Sequence, residues 1–349
     1  MLYKLLGDTG LKVSHIGLGL AALGRPGYIN LGHSSDLQGV DETKMEQQAH
    51  EVLSAAYQQG IRYFDAARSY GKAEAFLASW LTTNNVGISN VSLSNFAINY
   101  LGVNNFDIKY LNHVVIASKW GYTYTAKWQI QAEQHEVKEH SSETLERQFS
   151  ESTALLGSHL NLYQIHSATL ESGVLENDDV LGKLFEIKQG GIRIGLSLSG
   201  VKQGETLEKA LRIERASSRL FDTVQATYNL LETSSGNMLE LAHEEGMGII
   251  IKEALANGRL TERNTSPDFA DKLLRLRRCA EHYGTTIDGF ALAFALQQPW
   301  ADVVLSGAST VEQLRSNVKA LEVAPLLDLE DFSENSETYW RKRSGLTWN

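Results

Sequence analysis

Short runs of consecutive apolar residues, rich in Val, Ile and Leu, recur along this chain, separated by stretches whose apolar positions repeat at helical spacing. The runs predict strands at 16–20, 62–65, 114–118, 162–165, 193–197, 223–226, 248–251 and 302–306. Between them the spacing predicts helices at 45–59, 73–81, 143–156, 179–189, 205–216, 237–245 and 311–321. Strands that are apolar almost throughout suit a parallel sheet covered on both faces. The expected fold class is α/β, a closed (β/α)8 TIM barrel, with a six-stranded doubly wound sheet as the alternative. Before the first strand, residues 3–6 and 11–13 flank Gly7-Asp-Thr-Gly10 and predict an N-terminal β-hairpin that plugs the bottom of the barrel. A C-terminal tail follows the last helix.

Two segments break the alternation. Residues 21–44 form a long Gly-rich stretch after the first strand, and residues 83–112 form an Asn-rich insertion between a helix and the third strand. The insertion is expected at the N-terminal face of the barrel, away from its chemistry. Barrels of this kind exceed the usual domain length, so residues 1–349 are expected to form one domain.

The net charge of -10 is spread along the chain, which argues against nucleic acid or an anionic membrane as the main partner. An anionic cofactor held by a few local donors stays compatible with it. Cys279 is the only cysteine, which excludes an internal disulfide and a Cys-rich zinc site. His135 and His140, near Glu133, Glu136 and Glu139, match no metal-ligand spacing and read as a solvated loop, so no metal is expected. The N-terminus lacks the apolar core of a signal peptide, and no apolar run approaches membrane-spanning length. A cytoplasmic setting is expected.

In a parallel barrel, chemistry gathers where the strands end. Asp65 closes the second predicted strand, Lys119 the third and His166 the fourth, and Tyr70 follows Asp65 by five residues. Each alone has a bland explanation: a cap, a surface ammonium, a core histidine, a packed ring. Together they place a carboxylate, an ammonium, an imidazole and a phenol at one rim, the set that carbonyl reduction needs. Hydride arriving at a carbonyl carbon leaves an alkoxide that must be protonated. A tyrosine hydroxyl can donate that proton, a nearby ammonium can lower its pKa, and an imidazole can orient the carbonyl oxygen.

The set Asp65, Tyr70, Lys119 and His166 resembles the catalytic tetrad of the aldo-keto reductase superfamily. Phe64-Asp-Ala-Ala-Arg-Ser-Tyr-Gly-Lys-Ala-Glu74 resembles that family's signature, and Leu6-Gly-Asp-Thr-Gly-Leu-Lys-Val-Ser-His-Ile-Gly-Leu-Gly19 resembles its hairpin and first strand. The resemblance implies that Tyr70 is the acid, that Lys119 and Asp65 tune it, and that His166 orients substrate. It also implies a nicotinamide cofactor, NADPH in preference to NADH. Ser197 and Gln225 are then the carboxamide contacts, with Ser199 taking over where the family's usual Asn is Leu198. Tyr228 is implied beside the nicotinamide. Leu255 and Gly258 lie in the likeness of the pyrophosphate loop, where Lys252-Glu-Ala254 replaces the commoner Tyr-Ser-Pro and Lys252 offers a charge. Gly307, Ser309, Gln313 and Asn317 fall in the adenosine-end segment, which opens a helix N-terminus. The glycines of Gly17-Leu-Gly19-Leu-Ala-Ala-Leu-Gly24 have the wrong spacing for a Rossmann turn.

The substrate is expected to be a small carbonyl or alcohol. Pocket walls are expected from residues 23–28, from the aromatic run 120–128 and from Tyr339, Trp340 or Trp348. The alternatives are an NAD(P)-dependent sugar or alcohol dehydrogenase using the same residues in reverse, and a cofactor-binding regulatory barrel with little turnover. Oligomeric state is not legible.

Overall fold

A computed structural model describes residues 1–86, 113–327 and 329–349; most of the 83–112 insertion therefore lies outside the described residues. Eight parallel strands close into a barrel: β1 (Ile16–Gly19), β2 (Tyr63–Asp65), β3 (Val115–Trp120), β4 (Leu160–Ala168), β5 (Arg193–Leu198), β6 (Thr223–Thr227), β7 (Gly248–Lys252) and β8 (Val303–Ser306). Each pairs with its sequence neighbours, and β8 closes onto β1. The doubly wound alternative is excluded by this closure.

Helices cover the outside: α1 (Glu42–Gln58), α2 (Ala73–Thr83), α3 (Ser142–Leu156), α4 (Asp178–Gln189), α5 (Gln203–Leu211), α6 (Gly236–Glu244), α7 (Ala270–His282), α8 (Ile287–Leu296) and α9 (Val311–Lys319). In α1, Met45, Ala49, Val52, Leu53 and Ala56 recur on one face and are buried, while Asp41 caps the helix by accepting from the Lys44 amide at 3.0 Å. The helix expected at 205–216 stops at Leu211, because a small hairpin (Glu214–Arg215 with Ser218–Arg219) turns the chain toward β6. A final helix, α10 (Ser336–Ser344), carries the tail back to the barrel mouth.

Alternation along the strands sorts side chains between two cores. Phe64, Ile116, Tyr163, Ile165, Leu196, Val224, Ile249, Ile251 and Val304 pack outward against the helices. Tyr63, Val115, Ala117, Leu162, Ile250, Val303 and Leu305 form a second cluster inside the barrel. Leu6 and Val13 of the N-terminal hairpin (Tyr3–Leu5 with Lys12–Ser14) join this inner cluster, so the hairpin plugs the bottom as its sequence implies. Asp65, Lys119, Gln164, His166, Ser197, Gln225 and Lys252 have inward parity on the same strands, nearer the carboxyl ends. The barrel interior is thus apolar below and polar above.

Gly17 marks how tightly the lower layer is filled: a Cβ there would meet the Tyr63 ring at 2.8 Å and Leu305 and Val303 at 2.9 Å. Gly17→Ala is expected to cost about 1–3 kcal/mol by overpacking. A urea unfolding curve should show the lower midpoint, and an unchanged midpoint would contradict this packing.

Candidate active site

The polar upper layer is built around Asp65. Its carboxylate forms an ion pair with Lys119 Nζ, and its Oδ1 accepts from Gln164 Nε2 at 3.2 Å and from Gln225 Nε2 at 3.0 Å. Lys119 Nζ also donates to the Ala66 carbonyl at 3.0 Å. Asp65 is 2% exposed and Lys119 0%, so both charges are out of water and held by direct partners.

Tyr70 sits where these groups meet the open mouth. Its ring lies 5.0 Å from Lys119 Nζ and 5.4 Å, edge-on, from the His166 ring. The loop carrying it is fixed by Gly24, which has no room for a side chain: a Cβ there would fall 2.1 Å from the Tyr70 carbonyl oxygen. The Gly24 carbonyl accepts from the Lys72 amide at 2.7 Å, tying the β1 loop to the Tyr70 loop.

Burial raises the Tyr70 hydroxyl well above its ordinary pKa, the Asp65 carboxylate acts in the same direction, and the Arg25 guanidinium opposes them. The net direction is set by burial, with Lys119 held in an ion pair with Asp65 at contact distance. Tyr70 is held as a protonated phenol. His166 is pulled well below the usual histidine range, first by burial and then by Lys119 and Arg25, so its imidazole is neutral. Its Nδ1 lies 3.4 Å from Ser69 Oγ, and its carbonyl accepts from His140 Nε2 at 2.9 Å. Ser167, next along the strand, takes a φ of 53° where the β4–β5 register shifts, and its amide donates to Ser197 Oγ at 2.8 Å. Left-handed backbone in a non-glycine residue beside a reactive side chain is a common mark of a functional site.

A cavity of about 690 Å³ opens above this layer, within the range of small-molecule sites. Tyr70, His166, Tyr122 and Arg25 line one end. From there it runs past Ser199, Gln225, Lys252, Leu255 and Gly258 to Gly307, Gln313 and Asn317. That series of hydrogen-bonding groups, with the Lys252 ammonium and the unpartnered, buried Oδ1 of Asn257, fits an extended, anionic, polar ligand such as a dinucleotide. Residues 30–36 bridge the cavity. The Leu31 amide donates to the Asn257 carbonyl at 3.1 Å, and Arg263 binds Asp36 with one contact at 2.7 Å.

Three expected cofactor contacts do not line the cavity. Tyr228 has the outward parity of Val224 and Ala226, so it stacks on Phe294 at 5.6 Å and meets Trp300 edge-on, in the outer core. Ser197 lies just beneath the cavity, its hydroxyl accepting from Ser167. Ser309 is buried and donates to Asp36 Oδ2 at 3.2 Å.

Lys252 donates to Thr227 Oγ1 at 2.7 Å and lies 3.8 Å from Glu253. Burial lowers its pKa to about 8 against the opposing pull of Glu253. Burial would raise Glu253, yet Arg343 and Lys252 hold it down at about 2.

Other lining residues went unnoticed in the sequence. Glu136 and the adjacent histidines do not belong to a solvated loop: 136–138 pairs with 122–124 as a hairpin. This brings Glu136 to Arg25 at 2.9 Å, stacks His135 on Trp348 and seats His140 behind His166. Arg343 of α10 reaches Glu253 at 2.6 Å. Tyr339 and Trp340, expected as pocket walls, are packed in a separate core, and of the tail aromatics Trp348 is the one lining the cavity. Among the described residues there is no cluster of metal ligands and no helix long and apolar enough to cross a membrane.

Comparison with known proteins agrees with the barrel fold. The model of the Aldo/keto reductase family matches residues 15–338. L-galactose dehydrogenase of Arabidopsis thaliana is 25% identical, covering 99% of this chain and 96% of its own length. Pyridoxal 4-dehydrogenase of Microbacterium luteolum is 24% identical, covering 90% and 91% respectively. Among solved structures, the holo form of an aldo-keto reductase from Bacillus halodurans superposes with a TM-score of 0.68 at 20% identity, over 98% of this chain and 96% of its own. That last likeness speaks for the barrel alone. With a family match spanning nearly its whole length and a closed barrel beneath its polar mouth, this chain belongs to the aldo/keto reductase family of oxidoreductases.

Proposed function

We propose that the chain interconverts a carbonyl compound and its alcohol using a nicotinamide cofactor, with Tyr70 as the proton donor in reduction and acceptor in oxidation. The observation that carries this reading is the protonated Tyr70 phenol, set between Lys119 and His166 and lining one cavity with a run of polar groups. When bound, the cofactor supplies the hydride that goes to the carbonyl carbon. Tyr70 gives its hydroxyl proton to the carbonyl oxygen, so the alcohol forms without a free alkoxide. His166, neutral and with Nδ1 3.4 Å from Ser69 Oγ, hydrogen-bonds the same oxygen in its Nε2–H tautomer. The phenolate left on Tyr70 is stabilised by the ammonium of Lys119 until solvent restores the proton. Asp65 keeps Lys119 in position, and Gln164 and Gln225 keep Asp65 in position.

Ser199, Gln225, Lys252, Gly258, Gln313 and Asn317 are the residues suited to hold the cofactor. The resemblance favours NADPH. One observation supports the oxidative reading with NAD instead: Ser309, in the adenosine-end segment, is buried and its hydroxyl donates to the Asp36 carboxylate. The dehydrogenases among the relatives are in keeping with that direction.

Tyr70→Phe is expected to reduce turnover by about 10²–10⁴-fold while cofactor affinity stays within about twofold of the parent. Steady-state kinetics with fluorescence titration check this, and retained turnover would remove Tyr70 from its role. Lys252 carries its charge below about pH 8 and loses it as pH rises through that value. Affinity for the anionic cofactor should therefore weaken about tenfold between pH 6.5 and 9.5, and Lys252→Met should abolish most of the dependence. Titrations at the two pH values read both effects; an affinity indifferent to pH would speak against a contact from Lys252.

A further inference from the structure

Arg25 is buried, 2% exposed, yet its hydrogen bonding is incomplete. Its Nη1 donates to the Ser69 carbonyl and to Glu136 Oε2, both at 2.9 Å. Its Nε is buried without a partner, and its Nη2 has none among the described residues. The guanidinium lies 5.2 Å from the Tyr70 ring and lines the same cavity. Glu136 also lines that cavity, with Oε2 turned to Arg25 and Oε1 without a partner among the described residues. A donor and an acceptor thus stand side by side, next to the atoms proposed to react.

Three kinds of substrate can be weighed against this pair. An aryl or alkyl aldehyde would cover the Arg25 Nη2 and Glu136 Oε1 that their mutual ion pair leaves without a partner among the described residues, which is costly for polar atoms shut off from water. A carboxylate would suit Arg25 but face the like charge of Glu136. Neighbouring hydroxyls satisfy both, accepting from Arg25 and donating to Glu136. Tyr28 and Tyr122 also line the cavity. The Trp348 ring is stacked on His135 with centroids 4.0 Å apart and has the Arg25 guanidinium 4.6 Å from its centre, so it serves as a wall more than as an open platform for an aromatic substrate.

We propose that Arg25 and Glu136 form a subsite for hydroxyl groups adjacent to the reacting carbon, making polyhydroxylated aldehydes and the corresponding polyols the substrate class. This rests on the hydride-transfer reading above and adds the substrate to it. Arg25 and Glu136 act on specificity, read as the ratio between two substrates, in which an effect of Arg25 on the Tyr70 proton common to both cancels.

The test compares glyceraldehyde with propionaldehyde, which share a three-carbon skeleton and differ by two hydroxyls. The parent enzyme is expected to favour glyceraldehyde in kcat/KM by about 10- to 100-fold, mainly through KM. Glu136→Gln, which keeps the side-chain shape, and Arg25→Met should each bring that ratio to within about threefold of unity. Should Arg25→Met fail to fold, Glu136→Gln carries the comparison alone. Equal kcat/KM for the two aldehydes in the parent overturns the subsite and leaves the reaction standing. A preference that survives Glu136→Gln likewise overturns the assignment to this pair. Turnover of neither aldehyde, with either nicotinamide cofactor, overturns the reaction and the subsite with it.

Discussion

The structure of this site depends on one buried ion pair. Taking the Asp65 carboxylate and the Lys119 ammonium out of water is costly, and each is tolerable only because the other is in contact with it. Gln164 and Gln225 complete the carboxylate and the Ala66 carbonyl takes a further proton of the ammonium, so the pair has little freedom to move. Four strands contribute to this cluster: β2, β3, β4 and β6. The barrel has to be closed for them to meet, and the apolar layer beneath, plugged by Leu6 and Val13, keeps water from reaching the pair from below.

The pair sets the state of the groups above it. Burial governs Tyr70 and leaves it a protonated phenol, while burial together with the charges of Lys119 and Arg25 keeps His166 neutral. A proton donor and an uncharged imidazole are the forms suited to meeting a carbonyl oxygen. The ammonium matters after the proton has left, when a phenolate needs a positive neighbour. The cavity above the pair separates two environments. The Tyr70 end carries the Arg25–Glu136 pair, and the rest of the cavity combines neutral groups such as Gln225, Gln313 and Asn317 with Lys252, whose charge fades near pH 8.

Much of this is legible in the sequence because a barrel strand has a fixed period. Asp65, Lys119, His166, Gln225 and Lys252 stand at strand ends with inward parity, so recognising the strands brings them to one rim. The same rule, applied one step further, would have placed Tyr228 outside: it shares parity with Val224 and Ala226, which pack against helices. Arg25 and Glu136 could not be paired in this way. They are 111 residues apart, one in a loop without periodicity and the other on a three-residue strand whose register depends on its partner 122–124. The fate of Ser309 was hidden for a similar reason, since Asp36, which binds it, lies in the Gly-rich stretch after β1. The upward direction of the Tyr70 pKa was hidden too, because the sequence shows which charges are near but not how deeply a group is buried.

The central claim is that Tyr70 and Lys119 work as one unit, with the ammonium acting through the phenolate. A double-mutant cycle on turnover tests this most directly, using Tyr70→Phe, Lys119→Met and the double variant, with folding checked by circular dichroism. If the unit exists, the double variant loses no more than about threefold beyond Tyr70→Phe alone, since without the phenol the ammonium has nothing to stabilise. Losses that multiply in the double variant would mean that the two residues act independently, and would contradict the account.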